Sequence, residues 1–148
     1  MLRMSKLTDY GTVIMAYMAR RPRDVHSVAE LAAVLGMAAP TTSKILKRLA
    51  RHELVQSSRG AKGGYRLARP PEAISLADVI DAMEGPFGLT ECSAVAGLCL
   101  QEAGCPLRDN WQRVNQVIRR TLDGVTLAEM SRPALRPAAQ GAVAAPQT

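Results

Sequence analysis

Two short helical runs joined through a glycine, followed at once by a glycine-rich turn between two strand-like runs, constrain this chain more than any other feature. Ser27-Val28-Ala29-Glu30 has the form of a capping box. Val28, Leu31, Ala32 and Leu35 then share one helical face, and Gly36 stands where a helix ends on a left-handed residue. Pro40 suits a first helical position, and Thr41-Thr42-Ser43-Lys44-Ile45-Leu46-Lys47-Arg48-Leu49 continues as a helix to about His52. Such a pair is a helix-turn-helix. In its second helix Ile45, Leu46 and Leu49 form an apolar stripe, while Lys44, Lys47, Arg48 and Arg51 gather opposite, with Thr41 beside them. A helix that docks by such a stripe offers its cations and small polar groups to double-stranded DNA. Pro40, Thr41, Thr42, Ser43, Lys44, Lys47 and Arg48 are the expected contacts. An ordinary solvated basic face has the same composition, so the continuation of the chain decides.

That continuation is a hairpin. Residues 54–57 and 65–68 read as strands, with a turn over 58–64 that carries Arg59 and Lys62 among glycines. Placed directly after a helix-turn-helix, the hairpin is a wing, and Arg59 and Lys62 suit phosphates or a narrow minor groove. Upstream, Leu7, Tyr10, Ile14, Tyr17 and Met18 recur at helical spacing, which predicts a helix over 8–20 ended by Pro22. Asp9 lies at its start, where a carboxylate suits the helix dipole. Downstream of Pro70-Pro71, a helix over 74–84 has Ser75 as N-cap and buries Leu76, Val79, Ile80 and Met83; Gly85-Pro86 breaks it.

All three cysteines then fall in one loop, as Cys92, Cys99 and Cys105, with the spacing C-x6-C-x5-C. Glycines at 85, 88, 97 and 104 let the backbone bend the thiols toward one point. Pro106 is a favourable first helical residue, which puts Cys105 at the positive end of a helix dipole and favours its thiolate. Three thiolates are an incomplete metal or iron–sulfur site, since clusters take four protein ligands. Two other readings fit the same residues: small buried hydrophobes, and a thiol-redox or zinc site. From 106 a helix runs to about Gly124, and Leu107, Trp111, Val114, Ile118 and Leu122 repeat by four and three, a seam suited to a homodimer. Residues 126–130 form a final turn, and the Ala, Pro, Gln and Gly beyond them read as a disordered tail. The expected architecture is mainly α: a winged helix-turn-helix over 1–84, the cysteine loop over 85–105, a dimerisation helix and terminal turn over 106–131, and the tail over 132–148.

Composition sharpens the choice of partner. The 148 residues carry a formal charge of +6 and a pI near 9.7, which points to nucleic acid or another polyanion. A partner-binding module that docks on an enzyme through the same basic face is the competing class. An odd cysteine count argues against a secreted disulfide framework. The apolar stretch over 13–19 is too short to span a bilayer and lacks the pattern of a leader, so the expected compartment is the cytoplasm. No histidine neighbours the cysteines, no phosphate-binding glycine motif occurs, and no paired acids suggest hydrolysis, so an enzyme is not expected.

With these pieces in place the chain resembles the bacterial winged-helix regulators that carry iron–sulfur clusters, typified by IscR and NsrR. The matching segments are Leu7-Thr8-Asp9-Tyr10-Gly11, the helix-turn-helix from Val28, Leu54-Val55 before Arg59-Gly60-Ala61-Lys62-Gly63-Gly64-Tyr65, Ile74-Ser75-Leu76-Ala77-Asp78-Val79-Ile80, the three cysteines, and Thr126-Leu127. The opening Met1-Leu2-Arg3-Met4-Ser5-Lys6 before Leu7 is most similar to regulators of the SUF cluster-assembly operon. The resemblance implies a cytoplasmic homodimer that binds operator DNA, as a repressor, and senses cluster status through Cys92, Cys99 and Cys105. For the fourth ligand, IscR-like members place a histidine three residues after the last cysteine, where this chain has Arg108, which cannot ligate iron. NsrR-like members use an aspartate of the other subunit's first helix, and Asp9 matches it, which favours [4Fe–4S] over [2Fe–2S]. Some relatives also carry a discriminating glutamate in the recognition helix; here that position is Ser43.

Overall fold

The computed structural model describes residues 3–133, so the expected tail lies outside the described residues from 134 onward. The first helix, α1 (Lys6–Ala19), starts two residues before its expected position because Ser5 caps it, its Oγ accepting the Thr8 N–H at 3.2 Å. Ile14, Met15 and Met18 on its inner face are fully buried. Fully burying a side chain of this size is worth about 1.5–3 kcal/mol.

The next helices are α2 (Val28–Leu35) and α3 (Ala39–Arg51). Gly36 closes α2 with φ +65, the left-handed geometry that glycine adopts without a Cβ penalty. The capping box at the start of α2 is only half made. Ser27 Oγ accepts the Glu30 N–H at 3.0 Å, but Glu30 Oε1 turns to His26 Nδ1, also at 3.0 Å. A nearby imidazole donor competes for the carboxylate, which the tetrapeptide alone does not reveal.

Strands β1 (Val55–Ser58) and β2 (Gly64–Leu67) pair antiparallel, with Val55 opposite Leu67 and Ser58 opposite Gly64. His26 joins β2 by an isolated antiparallel bridge: its N–H donates to the Tyr65 carbonyl and its C=O accepts the Tyr65 N–H, each at 2.8 Å. This bridge fixes glycine at 64, because a Cβ there would sit inside contact distance of the His26 carbonyl. The sheet thereby joins the hairpin to the entry of α2.

Past a 3-10 turn at Pro71–Ala73 comes α4 (Leu76–Glu84), opened by a complete capping box between Ser75 and Asp78. Its buried residues are Ala77, Val79, Ile80, Ala82 and Met83; Leu76, expected in the stripe, is only half-buried, and Ala77 takes its place. A short α5 (Glu91–Ala94) and a 3-10 turn at Glu102–Gly104 interrupt the cysteine loop before α6 (Arg108–Gly124) and α7 (Leu127–Ser131). The last turn is tied back to α4: Leu76 N–H donates to Val125 and Leu127 N–H to Ile74, both at 2.8 Å. Leu127 is thereby buried in the same core as α1, α3 and the hairpin. Aliphatic and methionine side chains fill that core, as the scarcity of aromatics requires.

Candidate nucleic-acid interface and cysteine loop

The α3 helix carries four cations and no carboxylate in 13 residues. Thr42, Ile45, Leu46 and Leu49 are buried against the rest of the domain. Pro40, Lys44, Lys47 and Arg51 therefore lie along the outer side at three- and four-residue spacing, and all four are exposed. Thr41, Ser43 and Arg48 sit half-buried on the flanks. Thr42 leaves the expected contact set, since it is fully buried and its hydroxyl donates to the Ala38 carbonyl at 3.1 Å. Arg48 and Arg51 stand in the last turn, where cations suit the helix dipole. At the other end Ala38 supplies no side-chain cap. The wing turn presents exposed Arg59, Gly60, Ala61 and Lys62, and the exposed Arg66 follows on β2. A cationic helix face beside a cationic, narrow hairpin can grip a phosphate backbone while small side chains reach base edges.

Asp9 lies in the first turn of α1 and is exposed. Its neighbour Thr8 is fully buried and bonds the Glu84 carboxylate, which also accepts the Ser5 N–H at 2.9 Å. Hydrogen bonds from Ser5, then Thr8, hold Glu84 below the usual carboxylate range, with a smaller contribution from the charge of Arg48. The end of α4, where the cysteine loop departs, is thus pinned to the start of α1. Met83 packs beside this latch against Gly11, where an added Cβ would come within 3.1 Å of Met83 Cγ.

The three thiols are not equivalent. Cys92 is buried on α5, its Sγ 3.3 Å from Thr90 Oγ1, whereas Cys99 and Cys105 are half-buried. Asn115 of α6 holds the first half of the loop, accepting the Leu89 N–H at 3.2 Å and donating to the carbonyls of Phe87 (3.4 Å) and Ser93 (3.3 Å). In the second half Glu102 and Arg108 form an ion pair at 2.8 Å. The expected convergence of the sulfurs is not made in this conformation: among the described residues no three Cys, His, Asp or Glu side chains are gathered as a metal site. The donor set fits an iron–sulfur cluster chemically, three thiols in one loop, but the loop must close to bring them together. Cys105 is also not at a helix start. The helix begins at Arg108 with Leu107 as N-cap, because Pro106 and Leu107 form a turn first.

The expected seam on α6 divides. Ile118 and Leu122, toward the C-terminal end of α6, are half-buried, while Leu107, Trp111 and Val114, on the same face nearer its start, are exposed. Val117, absent from the four-and-three reading, is 59% exposed and extends the outer row. Arg119 anchors the inner side to Asp81 at 2.6 Å and to Asp123 at 3.1 Å. Burial pulls its pKa down, yet the bonds to those two carboxylates win and hold it above its ordinary value. Sequence reading missed Glu84, Asn115 and Glu102, whose roles arise from partners far along the chain or across the loop; Val117 was visible as an apolar residue three after Val114.

The family model for Rrf2, described as an iron-dependent transcriptional regulator, matches residues 4–133. The chain belongs to the Rrf2 family. It is a transcriptional regulator with a DNA-binding winged helix, in a family of regulators rather than enzymes. Among solved structures it is similar to CymR (YrzC), the global cysteine regulator of B. subtilis: 29% identity, covering 88% of this chain and 97% of that one, with a TM-score of 0.70. IscR from T. potens is also 29% identical, over 87% of this chain and 85% of its own, with a TM-score of 0.66. The Staphylococcus aureus CymR is 27% identical over 87% and 98%, with a TM-score of 0.64. No described helix of this Rrf2 protein is long and apolar enough to cross a membrane.

Proposed function

We propose that this Rrf2 protein is a homodimeric repressor of SUF-type iron–sulfur assembly genes, and that a cluster held in its cysteine loop sets its affinity for operator DNA. The observation that carries the DNA-binding half is the outer face of α3, with Lys44, Lys47 and Arg51 exposed in a helix without a carboxylate. The regulatory half rests on the confinement of every cysteine to the loop between α4 and α6. Cys92, Cys99 and Cys105 would hold the group, with Asp9 of the partner subunit as fourth ligand and [4Fe–4S] favoured over [2Fe–2S]. When bound, the cluster supplies an inorganic cross-link whose presence depends on iron and oxidants.

The chain's own contacts carry the rest. Glu84 joins the root of the loop to α1, and Asn115 joins the loop to α6. A loop held to α1 at its root and to α6 through its first half bears on the dimer helix and on the packing beneath α3 at once. Dimeric readers need their recognition helices about 34 Å apart to meet successive half-sites. A coupling of about 1–3 kcal/mol between loop and reading head would change occupancy roughly 5- to 150-fold. The test compares operator binding by anaerobically reconstituted protein with that of its Cys92→Ala variant. A difference of that order is expected; equal affinities remove the sensing role.

The likeness to CymR supports a second reading, in which the same thiols respond to oxidants or to cysteine status without a cluster. Absorption of anaerobically purified protein, with iron and acid-labile sulfide analysis, separates the two: a cluster is coloured, thiols and zinc are not.

A further inference from the structure

The cysteine loop is two separately held pieces rather than one flexible strand. The first piece carries Cys92 on α5 and is fastened to α6 through Asn115. The second spans residues 97–108 and is fastened to itself. Glu102 lies inside it with its side chain only 11% exposed. Two N–H groups of Arg108 converge on Glu102 Oε1, Nε at 3.1 Å and Nη2 at 2.8 Å, while Oε2 accepts the Gly97 N–H at 2.6 Å. A carboxylate this covered is stable only with its charge answered, and these charge-assisted bonds answer it. The backbone follows the same enclosure: Glu102 N–H donates to the Cys99 carbonyl at 3.1 Å and Arg108 N–H to the Cys105 carbonyl at 3.3 Å. Both ends of the segment bearing Cys99 and Cys105 are thus tied to one side chain. The two pieces meet at Val95–Gly97, where Gly97 takes φ +80, and a backbone bond from Leu98 to Val95 at 3.4 Å crosses the joint.

We propose that Glu102, clasped by Arg108 and Gly97, is a positioning residue that presets Cys99 and Cys105 as a pair, leaving closure at Gly97 to bring Cys92 to them. The proposal rests on the reading of the loop as a cluster site. It also gives Arg108 a task in place of ligation: it locks the clasp.

The experiment measures alkylation of each thiol by iodoacetamide, read site by site by mass spectrometry, on the anaerobic cluster-free full chain. In Glu102→Gln, Cys99 and Cys105 are expected to react roughly tenfold faster, the order expected when charge-assisted bonds holding a segment closed are lost. Cys92, held by the other piece, keeps its rate. Cluster assembly from ferrous iron and sulfide, followed by absorption, should be slower in Glu102→Gln than in wild type. Unchanged rates at Cys99 and Cys105, or an equal rise at all three thiols, would overturn the proposal. Should Glu102→Gln not fold, Arg108→Gln carries the test, with an intermediate rise at the same two thiols expected and no rise decisive against it. Wild-type protein that takes up no iron or sulfide while the alkylation contrast holds defeats the cluster reading alone. A uniform alkylation pattern with normal cluster assembly defeats the clasp alone.

Discussion

Glu84 shows how one side chain joins segments that the sequence keeps far apart. Its carboxylate is held ionised by hydrogen bonds from Ser5 and Thr8, so its folded pKa lies below the unfolded value. A depressed carboxyl contributes stability above its unfolded pKa and loses it as pH falls through the folded one. Glu84→Gln is therefore expected to cost about 1 kcal/mol at pH 7, charge-assisted bonds being discounted here for solvent screening. Urea denaturation checks the sign: the gap between wild type and variant should shrink as pH is lowered below the ordinary carboxylate range. A gap independent of pH would show that the charge plays no part. Gly64 is a steric case. Its Cβ would meet the His26 carbonyl, so Gly64→Ala should destabilise by roughly 1–3 kcal/mol, as overpacking does. Hydrogen exchange should report it first at the His26 and Tyr65 amides, and unchanged protection there would count against the close contact.

Among the elements, α3 and the hairpin are legible in the sequence, and for a plain reason. A helix buried on one side must put its other residues outward, so the stripe of Ile45, Leu46 and Leu49 placed Lys44, Lys47 and Arg51 by geometry alone. Thr42 was misplaced because a threonine is small and polar enough to suit either side; its burial depends on what packs there. Replacing Lys44, Lys47 and Arg51 together with alanine should leave folding intact and weaken DNA binding across sequences. If each meets a phosphate, the slope of log affinity against log salt should fall by roughly 2–3. An unaltered slope would remove these side chains from the interface. The cysteine loop was harder to read. Its thiols and glycines were evident, but its division into two pieces depends on Asn115 and Glu102, which look like ordinary polar surface residues in sequence.

At the level of the whole molecule, α6 is the element left incomplete. Leu107, Trp111, Val114 and Val117 form an exposed apolar row on its outer side, and such rows mark interaction surfaces. In the proposed homodimer that row meets its counterpart. Trp111→Glu should convert the dimer to monomer in sedimentation velocity and weaken operator binding with it, since a single reading head loses the second half-site. A variant that sediments as wild type would move the interface elsewhere. Local rules written along the chain were enough to establish the winged helix: apolar periodicity, a left-handed glycine, cappable helix starts and a glycine-bearing turn act between neighbours. Only the tertiary structure decided that Ile118 and Leu122 are half-buried while Trp111 and Val114 on the same helix face stay exposed, that Thr42 is buried, and that the three sulfurs are not gathered at one point. Each of these depends on which surfaces meet across many residues, and periodicity gives the spacing of a helix face without naming its partner.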